Sequence, residues 1–219
     1  MMKSGSFNAG RRGKNPRGEK DPVSVFGKMK EGREMKGLSV DDARKSPEMA
    51  LRWLFEGNEE FREGEEWKKG NAQQKPGAVV IYCSDARTSA EIVFGKGLNE
   101  IFGIRSAGNV VGTEAIASVE YAVAHLGVKL VVVLGHTQCG AVTAACKGGK
   151  PESPSLGKLL SNIEKEGNDV ERSVRANVFK QIENLKNGSE IVRNAAAEGR
   201  IKIVGAIYHI ESGKVELIG

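Results

Sequence analysis

VVVLGHTQCGA, Val131 to Ala141, begins as an unbroken apolar run, three of its first four residues β-branched, and ends in a histidine and a cysteine three residues apart. A short β-branched run closed by turn residues reads as a buried strand, here Leu130 to Leu134, with a helix following from about Ala141. VVIYCSDAR, residues 79 to 87, has the same plan: the run from Gly77 to Cys83 ends in Cys83, Asp85 and Arg87. IFGIR, residues 101 to 105, is the remaining strand of this kind.

Helical patterns lie between and after these strands. Thr113 to Leu126 carries Ile116, Val119, Val123 and Leu126 at helical spacing, with Thr113-Glu114 as an opening cap. Leu156–Ile163, Val174–Leu185 and Glu190–Ala197 read as further helices. Ile201–Ile210 and Val215–Ile218 read as a hairpin turning at Glu211-Ser212-Gly213-Lys214. Upstream, Ser46-Pro47-Glu48 opens an amphipathic helix that Gly64 stops. The expected fold is α/β: a mainly parallel central sheet with helices on both faces, an antiparallel C-terminal edge strand and an N-terminal helical arm.

The 219 residues suffice for one domain and an extension, with the domain at 46–219. The net charge of +5 belongs to the extension at 1–45. Residues 1–36 hold ten Lys/Arg against four Asp/Glu, which leaves the body near −1. A near-neutral body is not built to track phosphates, so nucleic acid is not the expected partner. The Gly- and Lys-rich arm lacks periodicity and is expected to be disordered, or ordered only against a partner subunit. No apolar stretch backs its charges as in a secretory signal, and the apolar runs are too short to span a bilayer as helices. A cytoplasmic protein is expected. Three cysteines, Cys83, Cys139 and Cys146, fit reduced thiols rather than a disulfide framework.

Ligands in open parallel sheets sit beyond the carboxyl ends of strands, where strand order reverses. If the first and third strands are neighbours, Cys83, Asp85, His136 and Cys139 converge on one crevice. Two thiolates and an imidazole in tetrahedral geometry with one open position suit Zn²⁺. Asp85 is the only nearby fourth ligand. Arg87 can hold its carboxylate bidentately and keep the position open for water. Two thiolates cancel the ion's charge, so the bound water is acidified less than in a tris-histidine site, where its pKa is about 7. Activity is then expected to rise through mildly alkaline pH.

CSDAR together with GHTQCGA resembles the β-class carbonic anhydrases, whose usual forms are Cys-Ser-Asp-Ser-Arg and Gly-His-x-x-Cys-Gly. The likeness runs from about Ser46 to Gly219, through ALRWLFEGNEEF, IFGIRSAGN, SVEYAVAHLGV, ANVFKQIENL and GAIYHIESGKVELIG. It implies zinc ligands at Cys83, His136 and Cys139, a dyad of Asp85 and Arg87, and a homodimer or higher homo-oligomer. It implies substrate contacts at Gln74 and the Gly140 N–H, and a pocket of Phe102, Ala107 and Tyr121 shared with a neighbouring subunit. Ala86, Ala90, Ser106 and Asn99-Glu100 depart from the common family pattern without removing a ligand.

The reading is reversible hydration of carbon dioxide to bicarbonate by a zinc-bound hydroxide, with His125 as proton shuttle and His209 structural. Carbonyl sulfide or carbon disulfide are alternative linear substrates. The rivals are a non-catalytic zinc protein closed by Asp85, nucleic-acid binding through the arm, and a thiol redox protein. The absence of any Cys-x-x-Cys pair places the last of these lowest.

Overall fold

The structure is a computed structural model that describes residues 37–64, 68, 70 and 73–218. The disorder expected of residues 1–36 lies outside the described residues. The chain divides into two compact units, one ending at Glu60 and the other beginning at Phe61.

In the first unit, α1 (Val40–Ala43) opens with a reciprocal cap. Ser39 Oγ accepts the Asp42 N–H, and the Asp42 carboxylate accepts the Ser39 N–H, each at 3.1 Å. α2 (Pro47–Glu63) starts where Ser46-Pro47 indicated, with Ser46 Oγ accepting the Met49 N–H at 3.2 Å. α2 buries no residue, and Trp53 and Leu54, in the part of the helix that belongs to this unit, are exposed.

The second unit is built on five strands: β1 (Ala78–Cys83), β2 (Ile101–Ser106), β3 (Leu130–His136), β4 (Lys202–His209) and β5 (Lys214–Ile218). Their order is β2-β1-β3-β4-β5, parallel except for the β4–β5 hairpin. The chain leaves β1 on one side to form β2 and returns on the other to form β3. The order therefore reverses between β1 and β3. The helices are α3 (Ala90–Val93), α4 (Thr113–His125), α5 (Gly140–Lys147), α6 (Pro154–Ser161), α7 (Val170–Gly188) and α8 (Glu190–Ala197). No described helix is long and apolar enough to cross a membrane.

Alternation along the strands separates two apolar layers. Val79, Ile81, Cys83, Val131 and Val133 face a core completed by Val119 of α4, Val142 of α5, Val178 of α7 and Val192 of α8. Val80, Tyr82, Val132 and Leu134 face the other way, onto Ala90 of α3, Ala206, Phe94 and Tyr208. Helices thus flank both faces unequally. Among the described residues, none of α4, α5, α7 or α8 joins the second layer.

Three local expectations are corrected. β3 does not stop at Leu134, because Gly135 and His136 go on pairing with Ile207 and Tyr208 of β4. Thr113 is the first helical residue of α4 and not its cap, which is Gly112. α7 begins at Val170 rather than Val174, where Asp169 accepts the Arg172 N–H at 3.0 Å.

At Gly135, α7 packs directly on β3. A Cβ there would stand 2.8 Å from Val178 Cγ2, 3.1 Å from Ile207 Cδ1 and 3.2 Å from Val174 Cγ1. Gly135→Ala should therefore lower stability by about 1–3 kcal/mol, the usual cost of overpacking a filled core. Urea unfolding measures it, and an unchanged midpoint would mean that α7 yields without cost.

Candidate metal centre

Register brings the ends of β1 and β3 level. Tyr82 pairs with Leu134, so Cys83, the last residue of β1, sits beside the Gly135-His136 end of β3. After Thr137 and Gln138 the chain enters α5, with Cys139 as its N-cap. Cys83, His136 and Cys139 could together hold a metal ion: one candidate ligand atom from each lies within 4.8 Å of the others, and all three residues are buried. The two sulfurs are 3.9 Å apart.

His136 Nδ1 lies 2.8 Å from the Thr137 carbonyl oxygen. A carbonyl can only accept, so Nδ1 carries the proton and Nε2 presents its lone pair. Nε2 is buried without a hydrogen-bond partner among the described residues. An orphaned buried acceptor is costly unless a further group takes it up. Nε2 faces two sulfurs, and this donor set fits a soft divalent cation.

The sulfurs are prepared for such an ion. Cys83 Sγ accepts the Gly108 N–H at 3.3 Å and the Asp85 N–H at 3.4 Å. The hydrogen bond from Cys139 is the main cause that holds the Cys83 thiol down to about 4, with His136 and these two N–H groups adding to it. Cys139 is pushed up, first by its hydrogen bond to Cys83 and then by burial, because losing its proton would leave two thiolates side by side. The N–H groups of Ala141 and Val142, in the first turn of α5, oppose that rise.

Asp85 is tied back. Arg87 Nε donates to Oδ1 at 2.9 Å, Nη2 to Oδ2 at 2.7 Å, and the Arg87 N–H to Oδ1 at 3.0 Å. The guanidinium holds this carboxyl well below the usual carboxylate range. Arg87 Nη2 also reaches the Gln138 carbonyl at 3.4 Å, linking the two ligand loops. The backbone beneath is fixed from two sides. Thr88 Oγ1 donates to the carbonyls of Cys83 and Asp85 at 3.0 and 2.9 Å. Arg105, stacked 5.0 Å over the Tyr82 ring, donates to the Asp85 carbonyl at 3.0 Å.

Sequence reasoning missed Thr88, Arg105 and the group that sets Gly108. Gly108 has φ +66°, and a Cβ there would meet Ile163 Cδ1 at 2.8 Å, so glycine is needed for both space and conformation. Asn177 Nδ2 donates to the Gly108 carbonyl at 2.8 Å, and Gln181 Oε1 accepts the Val111 N–H at 2.8 Å. Gln181 Nε2 joins the two amides at 2.8 Å. Both residues are fully buried, so this loop rests on α7 through satisfied polar groups. The signal was present: Asn177 and Gln181 fall on the same face as Val174, Val178 and Leu185.

The other expected site residues divide by position. Ala107 precedes Gly108, and Gly140 follows Cys139 as the first residue of α5, with open space where its Cβ would be. A cavity of about 640 Å³ is lined by Ala107, Ala141, Ala144, Leu156 and Leu160, among others. Gln74 is exposed and precedes β1, at the end of the strand opposite Cys83. Phe102 pairs with Val79, four residues short of Cys83. Tyr121 stacks between Phe102 and His125, with ring centroids 6.4 and 5.2 Å away. His125 ends α4 shortly before β3 begins, so it too lies at the edge of the sheet away from the sulfurs. A single chain does not bring Gln74, Phe102, Tyr121 or His125 to the centre. Cys146 is half-buried and bonded to Ser173, and His209 meets Glu216 at 3.1 Å.

The model of the carbonic anhydrase family matches residues 78–215. Carbonic anhydrase 2 of Mycobacterium tuberculosis is 32% identical over 192 residues, covering 78% of this chain and 93% of the relative. The carbonic anhydrase of Mycolicibacterium smegmatis is 37% identical over 155 residues, covering 66% and 75%. Among solved structures, one from a study of two tetrameric β-carbonic anhydrases of Sordaria macrospora superposes with a TM-score of 0.63 at 26% identity, over 78% of this chain and 94% of the other. The β-carbonic anhydrase of Coccomyxa, in complex with acetazolamide, gives 0.61 at 25% identity, over 79% and 85%. The family model spans more than half of the chain and the solved structures share its fold, so this chain, with a cysteine, a histidine and a second cysteine gathered where the order of a parallel sheet reverses, belongs to the β class of the carbonic anhydrase family.

Proposed function

We propose that this chain catalyses the reversible hydration of carbon dioxide to bicarbonate, with Zn²⁺ held by Cys83, His136 and Cys139. The observation that carries the reading is the buried sulfur–nitrogen–sulfur cluster, whose Nε2 has no hydrogen-bond partner among the described residues, beside an Asp85 already engaged by Arg87. When bound, the ion would lower the pKa of a coordinated water so that hydroxide is supplied, increasingly so as the pH becomes mildly alkaline.

The chain's own groups account for the rest. Arg87 keeps the Asp85 carboxylate off the metal and leaves it able to accept a hydrogen bond from the attacking oxygen, orienting a lone pair toward carbon. Ala107, Ala141 and Leu156 give a cavity an apolar side against which a linear, uncharged substrate would lie, and Lys147, Lys150, Glu152 and Lys165 line the rest of it. Gly140 opens α5, whose first N–H groups have no partner within the helix. They would face the negative charge that develops on the substrate oxygen. Gln74, Phe102, Tyr121 and His125 can reach this centre only from another copy. A homo-oligomer is therefore part of the proposal, in keeping with a structural relative from a study of tetrameric enzymes. Residues 46–219 form the catalytic domain, with 1–45 outside it. Free thiols at all three cysteines suit a reducing compartment such as the cytoplasm.

The test is stopped-flow hydration of carbon dioxide by full-length, zinc-loaded protein, run beside hydrolysis of carbonyl sulfide and carbon disulfide. The expected kcat/KM for carbon dioxide lies within about 10⁴–10⁸ M⁻¹s⁻¹ and exceeds that for either sulfur analogue. Faster turnover of a sulfur analogue would move the assignment to that substrate. No turnover of any of the three at one zinc per chain would leave a non-catalytic metal protein.

A further inference from the structure

Between the ligands His136 and Cys139 stand Thr137 and Gln138, and a single side chain from another part of the fold grips both. Glu211 lies in the turn between β4 and β5. Its Oε2 accepts the Thr137 hydroxyl at 3.0 Å, and its Oε1 accepts the Gln138 amide at 2.5 Å. Thr137 Oγ1 in turn accepts the Ile210 N–H at 3.0 Å, and the Thr137 N–H donates to the Tyr208 carbonyl at 3.0 Å. The hairpin and the ligand loop are thereby joined at four points.

What these two residues do makes the grip matter. The Thr137 carbonyl accepts the proton on His136 Nδ1 and so sets which imidazole nitrogen offers its lone pair. The Gln138 carbonyl receives Arg87 Nη2, the same nitrogen that restrains Asp85. Gln138 holds φ at +56°, a conformation that residues with a side chain avoid unless the surroundings impose it. A carboxylate is suited to imposing it: it only accepts, both partners here donate, and charged acceptors bind about twice as strongly as neutral ones.

The geometry points to Glu211 as a positioning residue for the metal centre, one that holds the Thr137 and Gln138 carbonyls where they orient His136 and Arg87. Glu211 touches neither ligand nor substrate and acts through the two residues between the ligands. The inference rests on the metal-site reading above and assigns that site a support from the C-terminal hairpin. An acidic residue at the turn, paired with two consecutive hydrogen-bond donors between the ligands, is its signature.

The experiment uses full-length holoenzyme, wild type beside Glu211→Ala and Glu211→Gln. Zinc affinity is read by competition with a chromophoric chelator, and ligand geometry by the d–d and thiolate charge-transfer bands of the cobalt(II)-substituted protein. Far-ultraviolet circular dichroism checks the fold, and kcat and KM are measured separately. The expected result for Glu211→Ala is zinc affinity lower by about tenfold, the low end for outer-shell partners of metal ligands, with displaced d–d bands. kcat falls with little change in KM. Glu211→Gln keeps the length and one acceptor and should fall between the two. If the alanine variant does not fold, the glutamine variant decides the matter by the same bands.

Wild-type zinc affinity and unshifted cobalt bands in both variants would overturn the role of Glu211. So would weakened binding with unshifted bands, which would make the residue a hairpin brace. In either case, one zinc per wild-type chain, lost in Cys83→Ser, leaves the metal-site reading intact. A wild type that binds no zinc removes both.

Discussion

Cys83→Ser is expected to abolish zinc binding and the proposed carbon dioxide hydration together while leaving the fold in place. The serine variant is more informative than alanine because Cys83 Sγ accepts the N–H groups of Gly108 and Asp85. Alanine would leave two N–H groups without their acceptor, at about 1–3 kcal/mol for each that is buried. Serine still offers an oxygen near that position, so most of what is lost can be ascribed to the ion. A neutral hydroxyl is a hard, weak donor beside a thiolate, and the remaining imidazole and single sulfur make a poor site for a soft cation. We expect metal content to fall from one ion per chain to a small fraction, and turnover by at least about 10³-fold, in line with losing the group that generates the nucleophile. Elemental analysis of the purified variant and stopped-flow hydration measure the two quantities. Zinc retained at full stoichiometry would exclude Cys83 as a ligand. Retained zinc with lost turnover would instead give this sulfur a chemical role apart from holding the metal.

The convergence of Cys83 with His136 and Cys139 was legible because two apolar runs of strand length end in these residues, and chain order in an α/β sheet restricts which strands can be neighbours. The end of β3 was less legible. Gly135 interrupts the apolar run, yet it is required where α7 packs, and His136 continues the ladder because β4 offers Ile207 and Tyr208 as partners. What holds the ligands could not be read from local pattern. Asn177 is 69 residues from Gly108, and Glu211 is 74 from Thr137, so each contact exists only after the sheet has formed. Arg105 alternates correctly for a strand and gives no sign that it will reach back to the Asp85 carbonyl. Phe102 and Tyr121 were expected in the pocket and His125 as a shuttle; Tyr121 does stack between the other two, but topology puts this stack at the end of the sheet away from the sulfurs. Periodicity identified which residues share a face. It carried no information about which end of the sheet a second copy would approach.

Arg87→Ala should retain zinc and lose turnover by about 10²-fold, the scale on which outer-shell partners of a metal matter. Three protein ligands leave a fourth position that water or a carboxylate can take. Asp85 is two residues from Cys83, and its side chain is spoken for by three hydrogen bonds from Arg87, two of them through the guanidinium. Without that guanidinium the carboxylate has lost its cation, and the nearest positive charge is the metal. Arg105 cannot substitute, because it holds the Asp85 carbonyl and not the carboxylate. The ion pair is half exposed on the arginine side and is worth little to overall stability, so the variant should melt close to wild type. Two further variants separate blockade from a simple loss of positive charge. Arg87→Lys keeps the charge but not the planar fork, and should fall between wild type and alanine. Asp85→Asn combined with Arg87→Ala removes the competing anion. If blockade is the cause, the double variant turns over faster than Arg87→Ala alone, because an amide binds the metal far less well than a carboxylate. If Asp85 serves only to accept a hydrogen bond from the nucleophile, the double variant is no faster, and Arg87 acts by orienting that carboxylate. Turnover unchanged in Arg87→Ala itself would remove both roles, since nothing else among the described residues pairs with the Asp85 carboxylate.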